Sequence, residues 1–109
     1  MTTELETTIK ADFESAGGIK ALAADILYLS ADVNADDHSE PGVDEPFIDC
    51  RLRYHNGMFS FLTGSSDYDQ DHRGHWGCSS VGMDCTDDES RSIADDLLDQ
   101  VIDDAYQSA

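Results

Sequence analysis

The densest run of metal-type donors lies between residues 67 and 85. Asp67, Asp69 and Asp71 alternate as the first ligands of a calcium loop do. Such a loop also needs glycine at its sixth position, for the sharp turn, and a bidentate glutamate at its twelfth. Counted from Asp67, those positions hold His72 and Cys78. His72, His75 and Cys78 recur every three residues, with Cys85 beyond. Imidazole and thiolate both suit zinc, but this spacing matches no common zinc module. The expectation is no bound metal and no cofactor. A thiol–imidazole pair could be drawn from Cys50, Cys78 or Cys85 with a histidine, yet no nucleophile signature surrounds any of them. No Gly-rich phosphate loop is present. The chain is read as a non-enzyme without catalytic residues.

The carboxylates say more by their number than by any pairing. The 109 residues carry 24 Asp+Glu against 6 Lys+Arg, a formal charge of −18. Eighteen of the acids are aspartates, and Lys10 and Lys20 are the only lysines. Such a chain cannot neutralise phosphates, which excludes an ordinary nucleic-acid binder and an anionic membrane surface as partner. The acids are also unevenly placed. Residues 51–66 contain none, whereas residues 86–109 contain eight against the single Arg91. No apolar run approaches the roughly 18 residues of a membrane span. The opening Met-Thr-Thr-Glu-Leu-Glu lacks the features of a secretory signal, so a cytoplasmic protein with reduced thiols is expected.

The elements that must carry these side chains can be read from pattern. Leu5, Ile9 and Phe13, then Ile19, Leu22, Ala23, Ile26 and Leu27, give helical spacing across residues 3–30. Gly17-Gly18 interrupts it, and glycine inside a helix costs about 1 kcal/mol relative to alanine. The helix is therefore expected to break there. Residues 31–46 are turn formers and acids without periodicity and read as an acidic loop.

Residues 47–63 read as a hairpin. Two alternating runs flank Asn56-Gly57, the pair a type I′ turn favours because both central residues need positive φ. With that turn, Ile48, Cys50, Leu52, Tyr54, Phe59 and Phe61 share one face. Asp49, Arg51, Arg53, Ser60 and Leu62 share the other. A two-stranded ribbon is unstable alone, and residues 76–81 can supply a third strand, with Trp76 expected to anchor the neighbouring loop to the core.

Thr86-Asp-Asp-Glu89 is a capping box opening a helix over 86–107, whose apolar stripe is Ile93, Leu97, Leu98, Val101, Ile102 and Ala105. The sum, over residues 1–109, is one small α+β domain. It has an N-terminal helix or broken helix pair, an antiparallel hairpin extended to about three strands, and a C-terminal amphipathic helix. On that last helix Asp88, Asp95, Asp96, Asp99 and Asp103 fall opposite the apolar stripe, about 5–6 Å from turn to turn. This approaches the spacing of phosphates along a nucleic-acid strand.

A small, cytoplasmic, strongly acidic domain without catalytic or metal motifs resembles the DNA-mimic inhibitors of phages and mobile elements, including anti-CRISPR and anti-restriction proteins. The segment Tyr68-Asp-Gln-Asp-His-Arg-Gly-His-Trp-Gly-Cys-Ser-Ser80 with the acidic helix is similar to segments of small phage proteins, over about a third of the chain. The resemblance is one of composition, so it carries over no residue. It implies an inhibitor whose carboxylates imitate phosphates and occupy the DNA channel of a host defence complex, foremost a CRISPR effector. The expected partner surface is Asp95, Asp96, Asp99 and Asp103, with Asp67, Asp69 and Asp71 and the loop at 32–45. Tyr68 supplies the aromatic contact, and Trp76 is a second candidate. The alternatives are an immunity protein that neutralises a basic nuclease toxin, and a phage accessory protein without inhibitory role.

Elemental analysis of the purified protein is expected to give no stoichiometric zinc or calcium. One tightly held zinc per chain would redirect attention to His72, His75, Cys78 and Cys85.

Overall fold

The computed structural model describes residues 4–33, 47–63 and 73–108. Three helices, α1 (Glu4–Ser15), α2 (Gly18–Asp32) and α3 (Asp87–Ser108), cover one face of a three-stranded antiparallel sheet. Its strands are β1 (Phe47–His55), β2 (Met58–Thr63) and β3 (His75–Gly82), in the order β2-β1-β3. The α+β reading holds.

The N-terminal pattern breaks where the glycines require it. Gly17 sits at φ 115°, where an L side chain is strained, and a Cβ there would lie 2.5 Å from that of Ala21. The second helix runs through Ala31 and Asp32, so any loop begins two residues later than the sequence reading placed it, and Val33 is buried. Apolar side chains continuing the stripe through Leu29 and Val33 carry the helix onward against the core.

The hairpin forms in the expected register. Asn56 (φ 53°) and Gly57 (φ 77°) make the turn, with His55 facing Met58, Tyr54 facing Phe59 and Leu52 facing Phe61. Cys50 and Leu52 are fully buried, and Ile48, Tyr54, Phe59 and Phe61 pack on the same core. Tyr54 ties the hairpin to α1 by donating its hydroxyl hydrogen bond to Asp12. Phe59 stacks on both sides of this link, 5.1 Å from Phe13 in an edge-to-face pair and 4.7 Å from Tyr54. Such aromatic pairs add roughly 0.5–1.5 kcal/mol each beyond the area they bury.

The third strand corrects one expectation. Trp76 pairs with Arg53, and Gly77 pairs with Leu52. Trp76 therefore lies on the sheet face opposite the core, half-buried, with the Arg53 guanidinium 5.8 Å from its ring centre. Gly77 is the residue that faces inward, and the reason is proximity. A Cβ on Gly77 would lie 2.5 Å from the carbonyl oxygen of Leu97 and 3.0 Å from the Cβ of Gln100. The α3 backbone comes so close that only glycine fits.

The core joins all these layers. Ile9 and Phe13 from α1, Leu22 and Ile26 from α2, Cys50 and Leu52 from β1, and Val81 from β3 meet the α3 stripe. In α3 the buried apolar positions are Ala94, Leu97, Leu98, Val101, Ile102 and Ala105, while Ile93 is half-buried at the edge. A buried Ser30 pins the crossover: its hydroxyl donates to Gly82 O (2.7 Å) and accepts from the Cys85 amide (2.9 Å).

Gly77→Ala is expected to destabilise the fold by about 2 kcal/mol or more, since overpacking costs about 1–3 kcal/mol and here the neighbour is backbone. Urea unfolding followed by circular dichroism reads this as a lowered midpoint. Ser80→Ala, on the exposed face of the same strand, should move it by no more than about 0.5 kcal/mol.

Candidate partner-binding surface

α3 owes its start to a reciprocal cap. The Glu89 amide donates to Thr86 Oγ1 (3.1 Å), and the Thr86 amide donates to Glu89 Oε1 (3.3 Å). Ser90, fully buried, donates its hydroxyl to Asp87 O (2.8 Å). Asp87, Asp88 and Glu89 suit the positive end of the helix dipole, but the last turn holds no basic residue.

At 100° per residue, Asp88, Asp95, Asp99, Asp103 and Asp96 fall within about 100° of arc. All five are exposed, opposite the buried stripe. Two glutamines on the helix brace part of this row. Gln100 Nε2 donates to Asp96 Oδ2, and Gln107 Nε2 donates to Asp103 Oδ2, each at 3.0 Å. Asp95–Asp99 and Asp99–Asp103 are like-charge pairs four residues apart, each unfavourable by a few tenths of a kcal/mol. The arrangement is thus held by the core beneath it rather than by the helix surface itself.

The structure brings Asp95, Asp96, Asp99 and Asp103 onto one open strip. Asp67, Tyr68, Asp69 and Asp71 lie outside the described residues, as do the acids of the segment 34–46. One aromatic that the sequence reading passed over belongs to the strip. Tyr106 falls between the angular positions of Asp95 and Asp99 and is 40% exposed. The signal was available, because Tyr106 follows Asp99 by seven residues and Asp103 by three. Trp76 lies on β3, with its side chain on the sheet face opposite the core.

Beside the strip runs a second row of polar side chains with a different task. Gln100 accepts from the Cys78 amide (2.9 Å) and donates to Cys78 O (2.8 Å). Asp104 accepts from the Trp76 amide (3.2 Å) and lies 3.5 Å from His75 Nδ1. These contacts close the outer edge of β3 against α3. Asp104 is therefore structural where its neighbour Asp103 is exposed.

The thiols are free; of the candidate zinc donors, His72 lies outside the described residues, and His75, Cys78 and Cys85 point different ways. His75 faces the core side of the sheet and Cys78 the other, as their spacing of three along a strand requires. Cys85 sits in the turn before α3, its thiol donating to Thr86 O (3.5 Å). Among the described residues no group of three His, Cys, Asp or Glu is placed to hold a metal ion.

No protein-family model matches the chain, and no curated protein or solved structure matches it either. Among the described residues no helix is long and apolar enough to cross a membrane.

Burial, reinforced by the charges of Asp49 and Cys78, pushes the Cys50 thiol up to about 12 from its ordinary 9.0, against the opposing pull of Arg51. Burial, then the hydrogen bond to Asp12 and its charge, push Tyr54 up to about 12 from 10.0. Cys85 is raised as well, by burial and then by Glu89 and Asp87. All three hold their protons more tightly when folded. The contribution to stability is complete below pH 9 for Cys50 and below pH 10 for Tyr54, and both are lost as pH rises toward 12. Tyr54→Phe should flatten the stability profile between pH 10 and 12. Iodoacetamide at pH 8 should modify exposed Cys78 readily and Cys50 only on unfolding, a difference that peptide mass mapping reads directly.

Proposed function

We propose that the protein is an acidic inhibitor that mimics nucleic-acid phosphates and blocks DNA binding by a host defence complex, most plainly a CRISPR effector. The observation that carries the reading is the exposed aspartate strip of α3, set on a chain of net charge −18. A row of carboxylates on a rigid helix presents negative charge at fixed intervals to Lys and Arg side chains arranged for phosphates. The summed field steers encounter with such a partner, and the effect falls steeply with salt. Charge alone gives rate and register more than affinity. Tyr106, within the strip, supplies the kind of aromatic anchor that interface hot spots favour. The cytoplasm of the host cell is the compartment this reading requires.

Asp95, Asp96, Asp99 and Asp103 changed together to lysine move the formal charge from −18 to −10, each exchange adding two charges. The fold should survive, since all four side chains are exposed. Inhibition should be lost, and in the unaltered protein raised salt should lower the association rate more than it raises the dissociation rate. The deciding measurement is DNA loading by a purified effector complex with and without this protein. Binding to the complex while DNA still loads normally would overturn mimicry. Tight binding to a nuclease toxin with no effect on any effector would establish an immunity protein instead.

A further inference from the structure

The two edges of the sheet differ. In a hairpin closed by a two-residue turn, His55 and Met58 exchange backbone hydrogen bonds, and bonded pairs then alternate with non-bonded ones. The non-bonded positions on β2 are Phe59, Phe61 and Thr63. Their amides and carbonyls point away from β1. By the same alternation the outward positions of β3 are Trp76, Cys78 and Ser80, and α3 meets the first two through Asp104 and Gln100. Among the described residues nothing comparable meets the β2 edge. That edge is not blunted by charge either, since Met58–Thr63 contains no ionisable side chain.

A groove lies beneath the open edge. Phe13, Leu22, Leu52, Phe59 and Phe61 line a cavity of about 100 Å³ that opens to solvent. This falls between the roughly 30 Å³ share of one water and the roughly 150 Å³ of a cavity that accepts benzene, a fit for a small aliphatic side chain. Its rim is acidic. Asp25 lines it, and the Glu14 carboxylate comes within 3.0 Å of the Cβ position of Gly18, which also lines it. No lysine or arginine does.

We propose that this edge and groove take up an extended segment of a basic partner protein as a fourth strand. The open backbone groups specify a strand, because only an extended chain presents donors and acceptors at matching intervals. The groove takes one apolar side chain of that strand. Glu14 and Asp25 select lysine or arginine beside it. Charge complementarity favours such a partner over a second copy, which would bring another −18 to the same edge. The proposal rests on the reading of the partner as basic, and adds a contact on the side of the molecule away from the aspartate strip.

The test is a titration of the 15N-labelled full chain with the capped hexapeptide Lys-Val-Lys-Leu-Lys-Val, with Glu-Val-Glu-Leu-Glu-Val as control. The lysine peptide should shift the amides of Phe59, Phe61, Thr63 and Leu22 saturably, and the glutamate peptide should not. Thr63→Pro removes an outward amide without touching the β1 ladder and should weaken binding roughly fivefold. Asp25→Lys, at an exposed position, should weaken it roughly threefold. Shifts confined to Asp95–Asp103, or none that saturate, overturn the proposal. So does a concentration-dependent dimer showing the same shifts without peptide, because the occupant is then a second copy. No nucleic-acid-binding complex enters this titration, so failed competition with DNA leaves it standing, and its own failure leaves the mimicry reading untouched.

Discussion

The close approach of α3 to β3 at Gly77 organises the rest of the molecule. With a Cβ at that position excluded by the Leu97 carbonyl, the helix backbone sits directly against the strand. Only at this distance can the side chains of Gln100 and Asp104 reach the outward backbone groups of Cys78 and Trp76. A sheet edge covered in this way keeps its hydrogen bonds without a further strand. The same contact sets the rotation of α3 about its axis. Leu97, Val101 and Ala94 point into the core, Gln100 and Asp104 point along the edge, and the remaining arc is turned outward. The exposure of Asp95, Asp96, Asp99 and Asp103 is therefore a consequence of how the opposite side of the helix is used.

That division of one helix into three strips resolves an apparent contradiction in its sequence. Carboxylates at four-residue spacing, and no cation in the last turn, weaken an isolated helix. The loss amounts to tenths of a kcal/mol per pair, whereas a fully buried leucine or isoleucine contributes about 1.5–3 kcal/mol. Leu97, Leu98, Val101 and Ile102 outweigh the repulsion severalfold. The acidity can thus be set by what the surface meets, since helix formation does not depend on it.

Most of the architecture was legible because local rules agreed with one another. Asn56-Gly57 fixed the turn, the period of two fixed the faces, and Thr86 with Glu89 fixed a helix start. The third strand resisted because its pattern runs against the usual one. Gly77 and Ser79 hold central inward positions while Trp76 lies outward, so a reading by hydrophobicity assigns the tryptophan to the wrong face. Gly77 is bare because the α3 backbone at Leu97 is its neighbour. No single-element pattern contains that information. The strip of aspartates was legible from helical spacing. The different duty of Asp104 was not, since it depends on which strand lies alongside.

The asymmetry between the sheet's two edges follows from the same geometry. One long helix lies along β3, and its polar side chains finish that edge. At the other end, α1 reaches the hairpin through the Tyr54–Asp12 bond and the Phe13–Phe59 contact, which hold the inner face of β2 but do not extend over its rim. The break at Gly17-Gly18 ends α1 where the groove begins, and Gly18 lines it. The acid-free stretch of residues 51–66 coincides with this region, in a chain where acids are otherwise dense. A carboxylate pointing from β2 would protect the edge against strand addition, and this sequence places none there. Repulsion among chains of charge −18 offers protection of another kind, since it opposes self-association at long range while attracting a basic strand. An uncharged edge is then tolerable because the rest of the molecule carries the charge.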